Sequence, residues 1–172
     1  MNKKEKILSS ALELFANYGY NGVSTNKIAK EAGVSEGLIF RHFKNKEGLL
    51  NDILQLAFEK AANIYEHIIV EENPKQVLRK TIIMPFQVEK SEYDFWKLQF
   101  KLKWELEISG QEKMQPLLDK LTWAFEQLGY NQPEEEAQIL QYVTESISAG
   151  ILKEGIQTQQ QLKGFLLKKY DV

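Results

Sequence analysis

Ser24 to Lys46 reads STNKIAKEAGVSEGLIFRHFKNK. Two short apolar stripes at helical spacing run through it, Ile28, Ala29 and Ala32 in the first and Leu38, Ile39 and Phe43 in the second. Gly33-Val34-Ser35 separates them. A glycine there suits the left-handed residue that ends a helix, Val34 can fill the angle between two helices, and Ser35 is a good N-cap for the second. The stretch therefore predicts a helix-turn-helix. Ala29 falls where the two helices come closest, too near for a larger side chain. The outward residues of the second helix are Ser35, Glu36, Gly37, Phe40, Arg41 and His42. A purely structural helix does not require such a set, and in a helix-turn-helix that face enters the DNA major groove.

Upstream, Ile7, Leu8, Ala11, Leu12, Leu14, Phe15 and Tyr18 make one stripe over residues 3–18, ended by Gly19. This is the third helix of a DNA-binding unit. Downstream, Asn45 suits the N-cap of a long helix over residues 46–69, where Leu49, Leu50, Ile53, Leu54, Ala57, Phe58, Ala61, Tyr65 and Ile68 hold helical spacing. A helix of that length reaches from the DNA-binding unit into a second core, as a lever between the two. The expected division is a helix-turn-helix DNA-binding domain over residues 1–46 and an all-helical domain over residues 47–172.

Asn73-Pro74 marks the next start, an N-cap followed by proline at the first helical position, and Pro85 kinks or ends the helix that follows. Ser91-Glu92-Tyr93-Asp94 reads as a variant capping box. Beyond it Leu98, Phe100, Leu102, Trp104, Leu106 and Ile108 alternate with polar residues, the pattern of a half-buried strand. No second strand-like run is present to pair with it, and a lone strand leaves its backbone groups unsatisfied. A helix over residues 92–108 is therefore expected, broken by Gly110. Further helices are expected over residues 114–128, from 133 to 152 or 153, and over 158–169, which makes the fold class all-α.

The composition, 43% hydrophobic and 27% charged over 172 residues, is that of an ordinary globular protein. No apolar run has the length of a membrane span, and Glu5 and Glu13 interrupt any signal-peptide pattern in MNKKEKILSSALELF, so a cytoplasmic location without a membrane partner is expected. The absence of cysteine excludes disulfides and thiolate metal sites, and His67 has no His or Cys near it in sequence; neither a metal nor a cofactor is expected. The net charge of −2 is unevenly spread: residues 1–50 hold eight basic and five acidic side chains, leaving a basic N-terminal third on an acidic remainder.

The run GVSEGLIFRHFKNKEGLL, residues 33–50, resembles the DNA-binding signature of the TetR family of bacterial transcriptional regulators, whose usual form is close to GVSxGTLYxYFKxKEEL. The likeness extends upstream through the ST-x-x-IA pattern of residues 24–29 to Phe15 and Gly19, and covers about the first fifty residues. It implies that Thr25 and Asn26 begin the first helix of the motif facing the DNA backbone, and that Ser35, Phe40, His42, Lys44 and Lys46 contact phosphate or sugar. Gly37 would let the second helix approach closely, and Arg41 would span O6 and N7 of a guanine. Two departures stand out. Phe40 replaces the usual tyrosine and its hydroxyl. Leu38 replaces a common threonine and serves either the core or a thymine methyl, while Glu36 brings negative charge to the DNA face and could accept from cytosine N4.

The resemblance further implies a ligand pocket among the aromatics of the middle of the chain, Phe86, Tyr93, Trp96, Phe100, Trp104 and Trp123, although any one of them taken singly reads rather as core. It implies a homodimer built by the last two helices, through Tyr142, Val143, Ser146, Ile147, Gly150, Leu162, Phe165 and Leu166. The function it implies is a homodimeric repressor on double-stranded DNA, released from a palindromic operator by an unidentified small-molecule effector in a C-terminal ligand-binding and dimerisation domain. A helical protein-interaction module is the alternative, against which the exposed basic residues argue. No nucleophile-base pair, paired acids near a histidine or phosphate-binding glycine loop supports an enzyme.

Overall fold

In the computed structural model the described residues, 2–105 and 111–172, form helices joined by short turns, with no strand among them. The order is α1 (Lys3–Tyr18), α2 (Thr25–Ala32), α3 (Glu36–Phe43), α4 (Lys46–Ile69), α5 (Pro74–Ile83), α6 (Tyr93–Glu105), α7 (Gln111–Gln127), α8 (Pro133–Glu154) and α9 (Gln160–Lys169). Short 3-10 turns at Met84–Gln87, Lys90–Glu92 and Ile156–Gln159 lead from α5, into α6 and into α9. Two of the expected caps are made: the Asn45 side chain accepts from Gly48 N–H at 2.7 Å, and that of Asn73 from Gln76 N–H at 3.2 Å ahead of Pro74.

The strand-like alternation after Lys97 resolves as helix. Among the described side chains of α6, Phe95 and Leu98, three apart, are buried while Phe100 is half-buried, the spacing of a helix and not of a strand. Of the expected span, residues 106–108 and the breaking Gly110 lie outside the described residues.

The chain forms two compact units, Met1–Lys60 with Ser91–Ser109, and Ala61–Lys90 with Gly110–Val172. This grouping differs from a cut at residue 46 because the start of α4 is built into the first core. That core joins Ile7, Ala11 and Phe15 of α1, Ile28 and Ala29 of α2, and Ile39 and Phe43 of α3 to Leu49, Leu50, Ile53 and Leu54 of α4 and Leu98 of α6. Lys60 fastens α6 further, with its Nζ 2.8 Å from Glu92 and 5.3 Å from the Phe95 ring centre. Ten of these side chains are larger than alanine by two carbons or more, so each contributes about 1.5–3 kcal/mol by leaving water. That supply is what lets helices as short as α2 and α3 persist, since eight residues alone are marginal in water.

In the second unit α7 packs along α8, with α5 and α9 against them, around Val77, Leu78, Ile82, Leu121, Phe125, Leu140, Ile147, Ile151 and Leu166. The two buried threonines return their hydroxyls to their own helices, Thr81 to the Val77 carbonyl at 2.8 Å and Thr144 to that of Leu140 at 2.9 Å. The end of the chain is pinned to the same core. The Tyr170 ring lies 5.5 Å from that of Phe125, its hydroxyl donates to Glu136 at 3.3 Å, and Lys75 pairs with Asp171 at 2.6 Å. Burial, then the Glu136 carboxylate, pushes the Tyr170 hydroxyl far above the usual phenol range.

Candidate nucleic-acid interface

The turn between α2 and α3 is built as its residues require. Gly33 adopts φ 65°, ψ 39°, the left-handed conformation that glycine takes without steric cost, and Val34 N–H closes the helix end on the Ala29 carbonyl at 3.0 Å. Ser24 caps α2 by accepting from Lys27 N–H at 3.2 Å. Ser35 stands at the N-cap of α3 with extended backbone, but its hydroxyl makes no capping bond; the Leu38 amide goes to the Ser35 carbonyl instead, at 3.0 Å. The hydroxyl is thereby left exposed on the outer surface.

α3 has one buried face and one open face. Ile39 and Phe43 are buried, and Leu38 is partly buried against the same core. Ser35, Gly37, Phe40, Arg41 and His42 are exposed, with Phe40 at 48%. Phe40 is thus no core residue. Asn26 and Lys44 are also exposed, while Thr25, Glu36 and Lys46 are half-buried. The Thr25 hydroxyl donates to Oε1 of Glu36 at 2.6 Å, a charge-assisted bond that joins the first residue of α2 to the first residue of α3.

Beside this face runs an open groove of about 530 Å³, lined by Asn21, Gly22, Val23, Ser24, Thr25, Lys27, Phe40 and Lys46. Two lysines border it and both are aimed by aromatic rings: Lys27 Nζ sits 3.7 Å from the Tyr18 ring centre and Lys46 Nζ 4.1 Å from that of Tyr20. Burial first, and Glu47 second, raises the Tyr20 phenol above its usual range, so the ring facing Lys46 stays neutral. Lys27 was no part of the sequence-based set; its signal was a position in the first turn of α2, three residues after the cap.

α3 passes to α4 through a strained joint. Lys44 takes φ 69°, unusual for a residue with a side chain, while its N–H bonds the Phe40 carbonyl at 2.9 Å and Asn45 N–H bonds that of Phe43 at 2.8 Å. At Gly48 a Cβ would stand 2.0 Å from the Phe43 carbonyl oxygen, so only glycine fits.

The expected ligand-pocket aromatics are distributed between the units. Tyr93, Trp96 and Phe100 belong to the first and Phe86 and Trp123 to the second, each half-buried; the Trp104 side chain lies outside the described residues. Trp96 Nε1 is buried with no acceptor among the described residues. Phe86 and Trp123 carry lysines over their rings, Lys163 at 5.2 Å and Lys120 at 3.9 Å. A second groove, of about 400 Å³, lies in the second unit between Ala62, Asn63, Tyr65, Glu66, Ile69, Pro116 and Leu117, and includes none of those aromatics. Burial, with the Glu145 charge adding to it, pushes the Tyr65 phenol up to about 12.

Of the expected dimer residues, Ile147 and Leu166 are buried within the unit, and Gly150 faces the Gln159 side chain, which a Cβ would meet at 2.8 Å. Val143 is half-buried and Ser146 exposed. Tyr142, Leu162 and Phe165 are exposed, at 64%, 45% and 62%, and Ile139 joins them at 51%. Among the described residues no helix is long and apolar enough to cross a membrane, and no group of three metal-binding side chains is present.

A capped α2, a left-handed glycine and an α3 open on one face define a helix-turn-helix protein of the DNA-binding class. Residues 7–53 match the family described as bacterial regulatory proteins, tetR family. Residues 7–53 are thus a TetR-family DNA-binding domain, and the fold of the chain is one that TetR-family structures share. It is 35% identical over 97 residues to the uncharacterised HTH-type transcriptional regulator YerO of Bacillus subtilis, an alignment that covers 54% of this chain and 33% of that one. The chain spans about a third of the length of the first curated relatives it matches. Among solved structures, a TetR-family transcriptional regulator from Rhodococcus sp. superposes with a TM-score of 0.73 at 21% identity, covering 99% of this chain and 98% of that chain. The structure of AibR in complex with isovaleryl coenzyme A and operator DNA does so with a TM-score of 0.73 at 20% identity, covering 97% of each. At such identities the likeness is one of fold.

Proposed function

We propose that this protein is a sequence-specific DNA-binding transcriptional regulator, a homodimeric repressor that leaves a palindromic operator when a small molecule binds its C-terminal domain. The observation that carries the reading is the open face of α3. Ser35, Gly37, Arg41 and His42 are exposed on a helix whose opposite face is anchored in the core, so their positions are set before any DNA arrives. Arg41 reads a guanine, and Ser35, His42, Lys44 and Lys46, with the first amides of α2, hold phosphates.

One helix-turn-helix covers only a few base pairs, so a second copy is needed for useful affinity. Ile139, Tyr142, Leu162 and Phe165 leave an apolar face on α8 and α9 suited to self-association. The groove beside Tyr65 is the place for the effector, mostly apolar with a few polar groups, and α4, which supplies Ala62 to Ile69 of its wall and also the helix following α3, would carry the change. The AibR complex holds both an acyl coenzyme A and operator DNA, an arrangement of the same kind on the same fold.

The test is selection of the purified protein on random duplex DNA at two salt concentrations, followed by sequencing. Enrichment of a palindrome with half-sites about 34 Å apart, one DNA turn, is expected. Recovery of no preferred sequence at either salt would overturn the reading.

A further inference from the structure

The hydrogen bond between Thr25 and Glu36 decides what both residues can do at DNA. A threonine hydroxyl has one proton to donate, and a carboxylate and a phosphate oxygen are both acceptors. While the Thr25 hydroxyl donates to Oε1 of Glu36 at 2.6 Å, it has no proton left to offer a phosphate. The Glu36 carboxylate gains a fixed position in return, and no second hydrogen bond to it is found among the described residues. Its place at the first position of α3, one residue before the exposed Gly37, puts it at the end of the helix that enters the groove.

We propose that Glu36 is a specificity-determining residue that accepts from a cytosine amino group in each half-site, and that the Thr25 hydroxyl positions Glu36 and is no phosphate ligand. This rests on the DNA-binding reading above. Cytosine N4 is the amino donor that an acceptor-only side chain meets in the major groove opposite guanine, whereas guanine N7 and O6 and thymine O4 repel it. The negative charge also works against phosphate. Glu36 thus lowers affinity for DNA in general and restores it only where cytosine stands, which is discrimination by repulsion as well as attraction.

The experiment is the same selection on random duplexes, carried out with the wild-type chain, Glu36→Gln and Thr25→Val, together with titration of each against the wild-type operator and against unrelated duplex. Glu36→Gln keeps an oxygen for the Thr25 hydroxyl, so the helix junction is preserved, and circular dichroism melting verifies this for both variants. In Glu36→Gln the cytosine preference is expected to be lost at one position per half-site, by about five- to tenfold, with adenine gaining there because an amide can bond both N6 and N7. Binding to unrelated duplex is expected to rise. Thr25→Val is expected to relax that same position and leave the others alone. An unchanged base preference in Glu36→Gln would overturn the proposal, as would a Thr25→Val variant that weakens binding equally to every sequence, which is the mark of a lost phosphate contact. If the wild-type chain itself enriches no sequence, the DNA-binding reading fails, and this inference with it.

Discussion

Gly37→Ala separates the demands of folding from those of DNA. Gly37 is the second residue of α3, its φ lies outside the left-handed region, and no heavy atom stands within 4 Å of where a Cβ would be built. Nothing inside the protein requires glycine there. Alanine removes unfolded-state freedom and is expected to stabilise the fold by about 0.4–1 kcal/mol, which for a chain of this size raises Tm by about 1–4 °C. In the proposed complex with DNA, the same methyl enters the space through which α3 approaches the bases. Overfilling a close-packed contact costs about 1–3 kcal/mol, so operator affinity is expected to fall about 5- to 150-fold per half-site. Gly164 provides the control, since it lies exposed within α9 with nothing near its absent Cβ; Gly164→Ala is expected to raise Tm similarly and leave DNA binding unchanged. Calorimetry and fluorescence anisotropy on the selected operator measure the two effects. A Gly37→Ala variant that binds the operator within about twofold of wild type, where RT is about 0.6 kcal/mol, would refute the argument that α3 approaches DNA through this residue.

Other perturbations follow from the same geometry. Gly48→Ala drives a methyl to 2.0 Å from the Phe43 carbonyl oxygen and is expected to cost about 1–3 kcal/mol, read by urea unfolding. Lys44→Gly relieves a backbone strained at φ 69°, and is expected to raise stability by about 1 kcal/mol while removing the proposed phosphate contact; the slope of log affinity against log salt should shrink by about one per subunit. Phe165→Asp, at a side chain 62% exposed, should leave the monomer folded and abolish the proposed dimer in sedimentation analysis. Glu71 is held below the usual carboxylate range by the Lys80 hydrogen bond first and the Asn73 amide second. A lowered folded pKa gives stability that is present above the unfolded value near 4.5 and lost as pH falls through the folded one, so Glu71→Gln is expected to flatten the loss of stability below pH 4.5 in urea titrations.

What the sequence makes legible is what neighbours in the chain decide. Gly33 must turn left, Asn45 and Asn73 can cap, and Phe15, Ile39 and Phe43 must be covered; each follows from a few residues on either side. The bounds of α1 and α4 come out as the stripes require. The Thr25 to Glu36 bond is different, because residues eleven apart meet only once α2 and α3 have crossed. Lys44 gives no warning of its positive φ, since lysine stands there against local preference, its N–H held by the Phe40 carbonyl and the next amide, that of Asn45, by the Phe43 carbonyl. Leu98 joins the core of α1 across some eighty residues, a pairing that no periodicity reports. The aromatics from Phe86 to Trp123 are close in sequence yet fall in different units, for which the alternation after Lys97 gave no sign.

The joint from Phe43 to Gly48 has a mechanical consequence. An Asn45 cap, a bonded Lys44 amide and a site where not even a methyl fits leave α3 and α4 no play between them, as in a coupling without backlash. α4 holds 24 residues, a rod of about 36 Å at 1.5 Å per residue. Tilting such a rod by about 5° about its far end carries the near end, with α3 rigidly attached, through about 3 Å, close to the 3.4 Å step between base pairs. On the proposed function, a displacement far smaller than a helix diameter therefore suffices to put α3 out of register with the base pairs, and the tightness at Gly48 leaves no slack in which that small motion is lost.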